Sequence, residues 1–396
     1  MNWVLAASVL LSLAAIPVLG AVLYLVVLTL GSRRSVPPAP RPPQTRFQVV
    51  IPAHDEEGGI SATVRDLLAA DYPGDLFRLL VVADNCSDGT AAAARTAGAD
   101  VLVRTDAEKR GKGFALELAY AQMLEQGWAG AVVVVDADTV ASANLLRAFD
   151  ARLQLGAEAL QAHYGVRNPG AGWRTRLMVI ALSLFHGVRS LGRERLGVSC
   201  GLRGNGMCFT TGLLRRVPHD AFSLVEDLEY GIKLGEAGVA VRYVAEAEVL
   251  GEMVTSASAS VSQRRRWEEG RQALRRRTWS LLIRALQGRS GLLADLALDL
   301  LVPPLVRVAA AVLLGLAAST ALAVLAGPTL PLGLFSACAA GLLLYVARGW
   351  VVSGTGLRGL VGLAWAPIYM LWKLTTLRKQ ERDPEWVRTR REGGSQ

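Results

Sequence analysis

Two aspartates one residue apart close a run of valines: Ala131-Val132-Val133-Val134-Val135-Asp136-Ala137-Asp138. The valine run is too short for a helix of its own and too apolar for a loop, so it reads as a buried central strand. Alternate residues on an extended chain point the same way, which lets both carboxylates aim at one point. That point lies just past the strand's carboxyl end, where open α/β sheets hold ligands. Two hard oxygen donors there suit Mg²⁺ or Mn²⁺ held together with a substrate diphosphate. A lone Asp-x-Asp also describes a strand end with solvated acids, so its meaning depends on the surrounding elements.

Those elements alternate. Residues 47–51, 79–83 and 100–104 read as short apolar strands, and residues 60–70 and 114–125 as helices. Asp88 is placed to cap an alanine-rich helix between the second and third strands. The β-α-β-α order predicts a parallel sheet with helices on both faces. Pro52 and Ala53 then close the first strand. Glu56, Asp84, Lys112, Asp136 and Asp138 all fall at carboxyl ends of strands or at the helix starts that follow. Acids there suit ribose hydroxyls or a base N–H, and a lysine at a helix N-terminus suits phosphate. Each alone is an ordinary cap or surface charge, but five on one edge favour a nucleotide site.

Further along, Gly204-Asn205-Gly206 precedes a strand at 207–210, and glycines there let the backbone approach a ligand closely. Glu226-Asp227 opens a helix over 228–237, where acids in the first turn are favourable. In Gln263-Arg264-Arg265-Arg266-Trp267, an arginine fork fits a diphosphate and a tryptophan face stacks on a sugar ring. The arginines from 264 to 277 also read as a polybasic patch on anionic lipid. Both readings are combined here: Arg266 and Trp267 face the site, whereas Arg271 and Arg275–Arg277 face lipid.

The segments Ile51-Pro52-Ala53-His54-Asp55-Glu56-Glu57, Asp84-Asn85-Cys86-Ser87-Asp88-Gly89-Thr90, Arg110-Gly111-Lys112-Gly113 and Asp136-Ala137-Asp138 resemble the nucleotide-sugar half of family 2 glycosyltransferases, which have the GT-A fold. Gln263–Trp267 is similar to the Gln-x-x-Arg-Trp signature of the membrane synthases of cellulose, hyaluronan or poly-N-acetylglucosamine. The signatures come in the family's order over about residues 47–267. The family usually carries Asn where this chain has Asp55, a departure that bears on nucleotide preference and metal affinity. The resemblance implies that Glu56 and Asp84 hold a uridine or guanosine, with Pro52, Ala53 and Lys112 beside them. It gives Asp136 the ribose and diphosphate, Asp138 the metal, and Asp227 the role of catalytic base. Gly204, Asn205, Glu226, Gln263, Arg266 and Trp267 then serve the acceptor and the leaving diphosphate.

Of the 396 residues, 52% are hydrophobic, and these concentrate at 3–30 and beyond 291. Residues 3–30 carry no charged side chain and are too long for a signal-peptide core, which predicts a retained transmembrane helix. Arg33, Arg34, Arg41 and Arg46 follow, placing that end in the cytoplasm. The expected division is a transmembrane helix at 1–32, a Pro/Arg linker at 33–46, a GT-A domain at 47–290, a membrane region at 291–378 and a basic tail at 379–396. The membrane region is expected to supply one span from about 305, with Asp299 and Arg307 near its cytoplasmic end, and a second at 332–352. Residues 357–377 have basic ends on both sides and are expected to form an interfacial or re-entrant helix in preference to a third span. The net charge of +9 fits an anionic membrane face. Nucleic acid is not expected, because no aromatic-basic interleaving or reading motif accompanies the charge. The four cysteines form no Cys-x-x-Cys pair and fit a reducing cytosol.

Together with the membrane segments, the resemblance implies an inverting, metal-dependent glycosyltransferase at the inner face of a bacterial membrane. It would use a nucleoside-diphosphate sugar, with a growing polysaccharide as acceptor and export partners beside it. A lipid acceptor, giving a glycolipid or a polyprenyl-phosphate sugar, is the alternative within the same class. A catalytically silent membrane scaffold is the alternative of another class.

Overall fold

The computed structural model of the chain describes residues 2–253, 270–327 and 329–370. Its strands are β1 Phe47–Ala53, β2 Phe77–Asp84, β3 Asp100–Arg104, β4 Ala131–Val134, β5 Thr139–Ala141, β6 Ala159–Val166, β7 Met207–Thr210 and β8 Arg242–Gly251. They form one sheet in the order β3-β2-β1-β4-β7-β6-β8-β5. β1 to β4 run parallel, as expected. Their valines divide by parity: Val133 and Val135 enter the core on one face, Val132 and Val134 the core on the other. Burial on both faces is why these strands read as continuous apolar runs. Each buried valine contributes roughly 1.5–3 kcal/mol.

The sheet is not wholly parallel. β7 runs antiparallel to both β4 and β6, and β5 antiparallel to β8. The expectation covered the first four strands only, and the reversal beyond them has a consequence for the site. Met207 lies opposite Val134, so the residues leading into β7 sit at the carboxyl edge of the parallel strands. A parallel β7 would have put Gly204-Asn205-Gly206 at the far edge.

Among the described residues, three helices are long and apolar enough to cross a membrane: Trp3–Gly31, Leu305–Ala326 and Leu330–Ser353. They pack on one another through Val22, Leu25, Val312, Cys338 and Leu342. Ile180, Leu184 and Val188 join the same cluster from the globular part. Asp299 is not on the span that begins at Leu305. It lies on a separate helix, Gly291–Leu301, because Pro303-Pro304 cannot continue that helix. Beyond the third long helix, Gly356–Leu363 is helical, and Trp365 stacks on Trp173 at 5.7 Å. The rest of the expected 357–377 helix, from residue 371, and the basic tail lie outside the described residues.

Candidate active site

The first cluster is built on Lys112, the first residue of helix Lys112–Gln126. Its Nζ lies 2.5 Å from Asp136 Oδ1 and 3.8 Å from Glu226 Oε1, and it donates to the Gly204 carbonyl. Gly113 explains how the lysine gets there. A Cβ at that position would meet the Ala221 carbonyl oxygen at 2.2 Å, so only glycine lets the first turn pack so closely. Gly204 has φ +79°, a left-handed conformation that favours glycine. A Cβ there would stand 3.4 Å from Asp227 Oδ2 and 3.8 Å from Lys112 Nζ. Lys112, Asp136, Gly204, Glu226 and Asp227 thus surround one small volume at the carboxyl edge of β4.

Asn205 is fully buried and holds the edge together. Its Oδ1 accepts from the Asp136 backbone N–H at 3.1 Å, and its Nδ2 donates to Thr139 Oγ1 at 2.7 Å. Asp138 lies between these two anchors, half-buried. Gln161, also fully buried, donates to the Asn205 carbonyl at 2.7 Å and accepts from the Arg203 backbone N–H at 2.8 Å. A polar residue in an apolar strand is weak as a sequence signal, and Gln161 was not legible as the anchor of this turn.

The electrostatics follow from burial. Burial pushes Glu226 up to about 7, opposed by Lys112 and reinforced by Asp227. Burial also raises Asp227. Burial alone would lower the Lys112 ammonium, but Asp136 and then Glu226 outweigh it and hold the lysine above its ordinary value. The cluster therefore retains a cation among three carboxylates, of which Glu226 is the one poised to take a proton near neutrality.

The second cluster lies one and two strands away, on β1 and β2. Ala53 sits opposite Ala83, so Asp84 and the turn after Ala53 share an edge with Asp136. Asp84 is buried and accepts from Arg104 Nη1 at 2.7 Å and Asn85 Nδ2 at 3.0 Å. Arg104 was not anticipated, because a charge at the end of a short strand reads as solvated. Glu56 follows at the start of helix Glu57–Leu68, its backbone N–H donating to Thr90 Oγ1 at 2.8 Å. Pro52 is half-buried and Ala53 buried. Asp55 takes φ +53° and accepts from the Ser87 backbone N–H at 2.6 Å.

Asp55, Cys86 and Asp88 bring their ligand atoms within 4.8 Å of one another. Two of them hold the turn: Asp55 through Ser87, and Asp88 through the backbone N–H groups of Glu57 and Thr90. Burial raises the Cys86 thiol, and a soft neutral thiol does not suit Mg²⁺ or Mn²⁺. The hard pair Asp136 and Asp138 fits such an ion better by donor chemistry. A cavity of about 480 Å³ lies elsewhere, beside Gln48, Arg78, Asp100 and Trp128. It opens at the start of the parallel strands, away from both clusters.

Two expectations for the basic segment need correction. Arg271 does not face lipid: it pairs with Asp299 at 3.2 Å. Arg275 donates to the Leu300 and Leu301 carbonyls at 3.0 and 2.8 Å, capping the end of helix Gly291–Leu301. Orphan carbonyls at a helix end attract such donors. Arg276 and Arg277 are exposed. Gln263, Arg266 and Trp267 lie outside the described residues.

Residues 42–270 match the model of a family described as glycosyltransferase like family 2. A curated relative, the beta-monoglucosyldiacylglycerol synthase of Synechocystis, is 29% identical over 239 residues, covering 58% of this chain and 48% of its own. The match thus spans about half the length of that relative. Among solved structures, a mannosyltransferase from Pyrobaculum calidifontis in complex with GDP-Man and Mn²⁺ is similar over 93% of this chain and 99% of its own. The identity is 20% and the TM-score 0.55, a likeness of fold. A glucosyl-3-phosphoglycerate synthase from Mycobacterium tuberculosis matches 55% of this chain and 75% of its own, at 20% identity and a TM-score of 0.38.

Proposed function

The chain belongs to glycosyltransferase family 2, and from that premise we propose that it moves a sugar from a nucleoside diphosphate to a lipid acceptor at a bacterial inner membrane, with its globular part in the cytoplasm. The observation that carries this reading is the Lys112–Asp136–Gly204–Glu226–Asp227 constellation at one sheet edge, together with three membrane-length helices among the described residues. Asp227 is the base. Its half-buried carboxylate takes the proton of an acceptor hydroxyl as that oxygen attacks the anomeric carbon. The bond from the anomeric carbon to the diphosphate oxygen breaks, and the configuration inverts. Glu56 and Asp84 serve the nucleoside, with Pro52 and Ala53 beside it. Lys112 orients Asp136 and fixes the Gly204 carbonyl. Asp138 with Asp136 would hold Mg²⁺ or Mn²⁺, which when bound neutralises charge on the leaving diphosphate. Asn205 keeps Asp136 in place through its backbone N–H, and Glu226 stands beside the acceptor.

A polysaccharide acceptor, with export partners, is the second reading. It rests on Gln263, Arg266 and Trp267 and their likeness to the cellulose and hyaluronan synthase signature. The lipid reading is favoured by the name of the curated relative, a glycolipid synthase. The test uses the full chain in vesicles with a panel of radiolabelled nucleotide sugars. Single additions that extract with organic solvent support the lipid acceptor. Long water-soluble chains support the polymer. No transfer from any donor, with the protein folded, overturns both and leaves a silent scaffold.

A further inference from the structure

Between the sheet and the membrane helices lies a second set of charges that the transfer step does not use. Arg193 is only 1% exposed. It donates to the Tyr24 hydroxyl of the first membrane helix at 2.6 Å and lies 3.2 Å from Asp295 and 2.8 Å from Asp299. Arg189 and Arg271 converge on the same Asp299. Asp299 thus serves three guanidinium groups, and Asp295 already faces one of them.

The fourth arginine is the informative one. Arg203 is 8% exposed, and its guanidinium pairs with no carboxylate among the described residues. It donates to the Cys200 carbonyl at 2.8 Å. Its Nε is buried with no partner among the described residues, and so is Nε of Arg189, itself 6% exposed. The ring of Phe185 lies under both, 4.4 Å from Arg203 and 4.8 Å from Arg189, with Arg271 at 5.8 Å. Among the described residues, four guanidinium groups pack with two carboxylates, and Asp227 acts on Arg203 from outside ion-pair distance, which leaves positive charge in excess in a buried place. Burial without a counter-charge is strongly unfavourable. A planar fork with open N–H donors is the arrangement that takes a phosphate oxygen.

We propose that the open donors of Arg189 and Arg203, with Arg271 beside them, hold a phosphate group presented at the membrane face. The cluster touches the first membrane helix through Tyr24 and the helix before the second through Asp295 and Asp299, so a lipid phosphate reaches it from the bilayer. Arg203 immediately precedes Gly204, at which a Cβ would stand 3.4 Å from Asp227 Oδ2, so the bound phosphate lies near the base. Burial lowers Arg203 to about 10, a penalty that an anion would relieve. The binding itself stands on the cluster. Its role in seating a phosphate-bearing acceptor rests on the transferase reading above.

The test reads the melting temperature of the full chain in neutral detergent, with no nucleotide sugar present. The probes are inorganic phosphate, dodecyl phosphate, and sodium chloride at matched ionic strength. Either phosphate should raise the melting temperature of the wild type by mass action where chloride does not. Half-maximal effect at about tenfold lower dodecyl phosphate than inorganic phosphate assigns a lipid phosphate, since the alkyl chain adds apolar burial. Equal potency assigns a free phosphate. Arg203→Met should abolish the shift and Arg203→Lys should keep part of it. Should Arg203→Met not fold, phosphate binding to the wild type and Arg203→Lys by calorimetry decides. A shift that chloride reproduces, or that survives in both variants, overturns the proposal, because the excess charge would then be neutralised within the chain. Loss of sugar transfer with phosphate binding intact breaks the transferase reading alone. Transfer without any phosphate effect breaks this proposal alone.

Discussion

The two charge clusters on either side of Gly204 are opposites. On the sheet rim, one lysine faces three carboxylates, Asp136, Glu226 and Asp227. At the membrane junction, among the described residues, four arginines cluster around two, Asp295 and Asp299, which pair with three of them. The segment Arg203-Gly204-Asn205 joins them, contributing a guanidinium to one and a carbonyl and an amide to the other. Burial acts on both, but the outcome differs with the sign of the excess. Excess carboxylate raises proton affinity, which suits a base and a cation site. Excess guanidinium cannot be relieved by losing a proton, because arginine stays charged, and it calls for an anion instead. A reaction between two phosphorylated or polar substrates at a bilayer needs both kinds of surface side by side.

The sharpest way to break the comparison is to remove the base. Asp227→Asn keeps the shape and loses the proton acceptor, so the rate of transfer from a nucleotide sugar should fall about 10²- to 10⁴-fold. A near wild-type rate removes Asp227 from the mechanism and makes its cluster structural only. The next largest effect is Lys112→Met. It leaves three carboxylates with no cation, and since Lys112 keeps a fifth of its side-chain exposure, unfolding stability should drop by about 2–3 kcal/mol, less than for a fully buried pair. Denaturant titration measures it. An unchanged midpoint would mean that solvent, not the lysine, compensates the acids.

The clusters were not equally legible. β1, β2 and β4 could be read because strands buried on both faces carry unbroken apolar runs, and their ends were marked by Asp84 and Asp136. Lys112 was legible as a lysine at a helix start that suits phosphate, and Asp227 through the family resemblance. β6 and β8 were not, since Gln161, His163, Glu246 and Glu248 interrupt their apolar pattern. The direction of β7 was equally hidden, although it decides where Gly204 lies. The membrane-junction cluster was missed for a different reason. Arg189, Arg193, Arg203 and Asp295 come from distant segments and in sequence look like ordinary surface charges, and Asp299 reads only as the inner end of a span. Arg271 reads as lipid-facing, because a basic run carries no mark of which member turns inward. Pairing between elements 100 residues apart has no local signature.

A pH series sharpens the contrast between acids and arginines. Glu226 has a folded value of about 7 against an ordinary 4.5, so the folded chain holds a proton there that the unfolded chain releases. The stability tied to that proton is present below about 4.5 and is lost as the pH rises through 7. Glu226→Gln removes the titration, and its melting temperature should fall less than that of the wild type between pH 5 and pH 8. The difference should be on the order of 1–2 kcal/mol in stability, with Asp227 supplying the remaining slope. Parallel curves would show that Lys112 keeps Glu226 ionised throughout.

The smallest effect is expected at Asp55, where the chain departs from the usual Asn of its family. Asp55 sits at φ +53°, and its Oδ1 accepts from the Ser87 backbone N–H at 2.6 Å and the Ser87 hydroxyl at 3.2 Å. Asn and Asp both tolerate the left-handed region better than other side chains with a Cβ. The amide oxygen of Asn can accept the same bonds. Asp55→Asn should therefore change stability by less than about 0.5 kcal/mol, whereas Asp55→Ala, which strains the turn and orphans Ser87, should cost about 1–2 kcal/mol. Thermal melts of the two variants distinguish these outcomes. A large loss in Asp55→Asn would mean that the negative charge itself is needed in the Asp55–Cys86–Asp88 turn, and that this turn, not Asp136 and Asp138, is where the rim holds its cation.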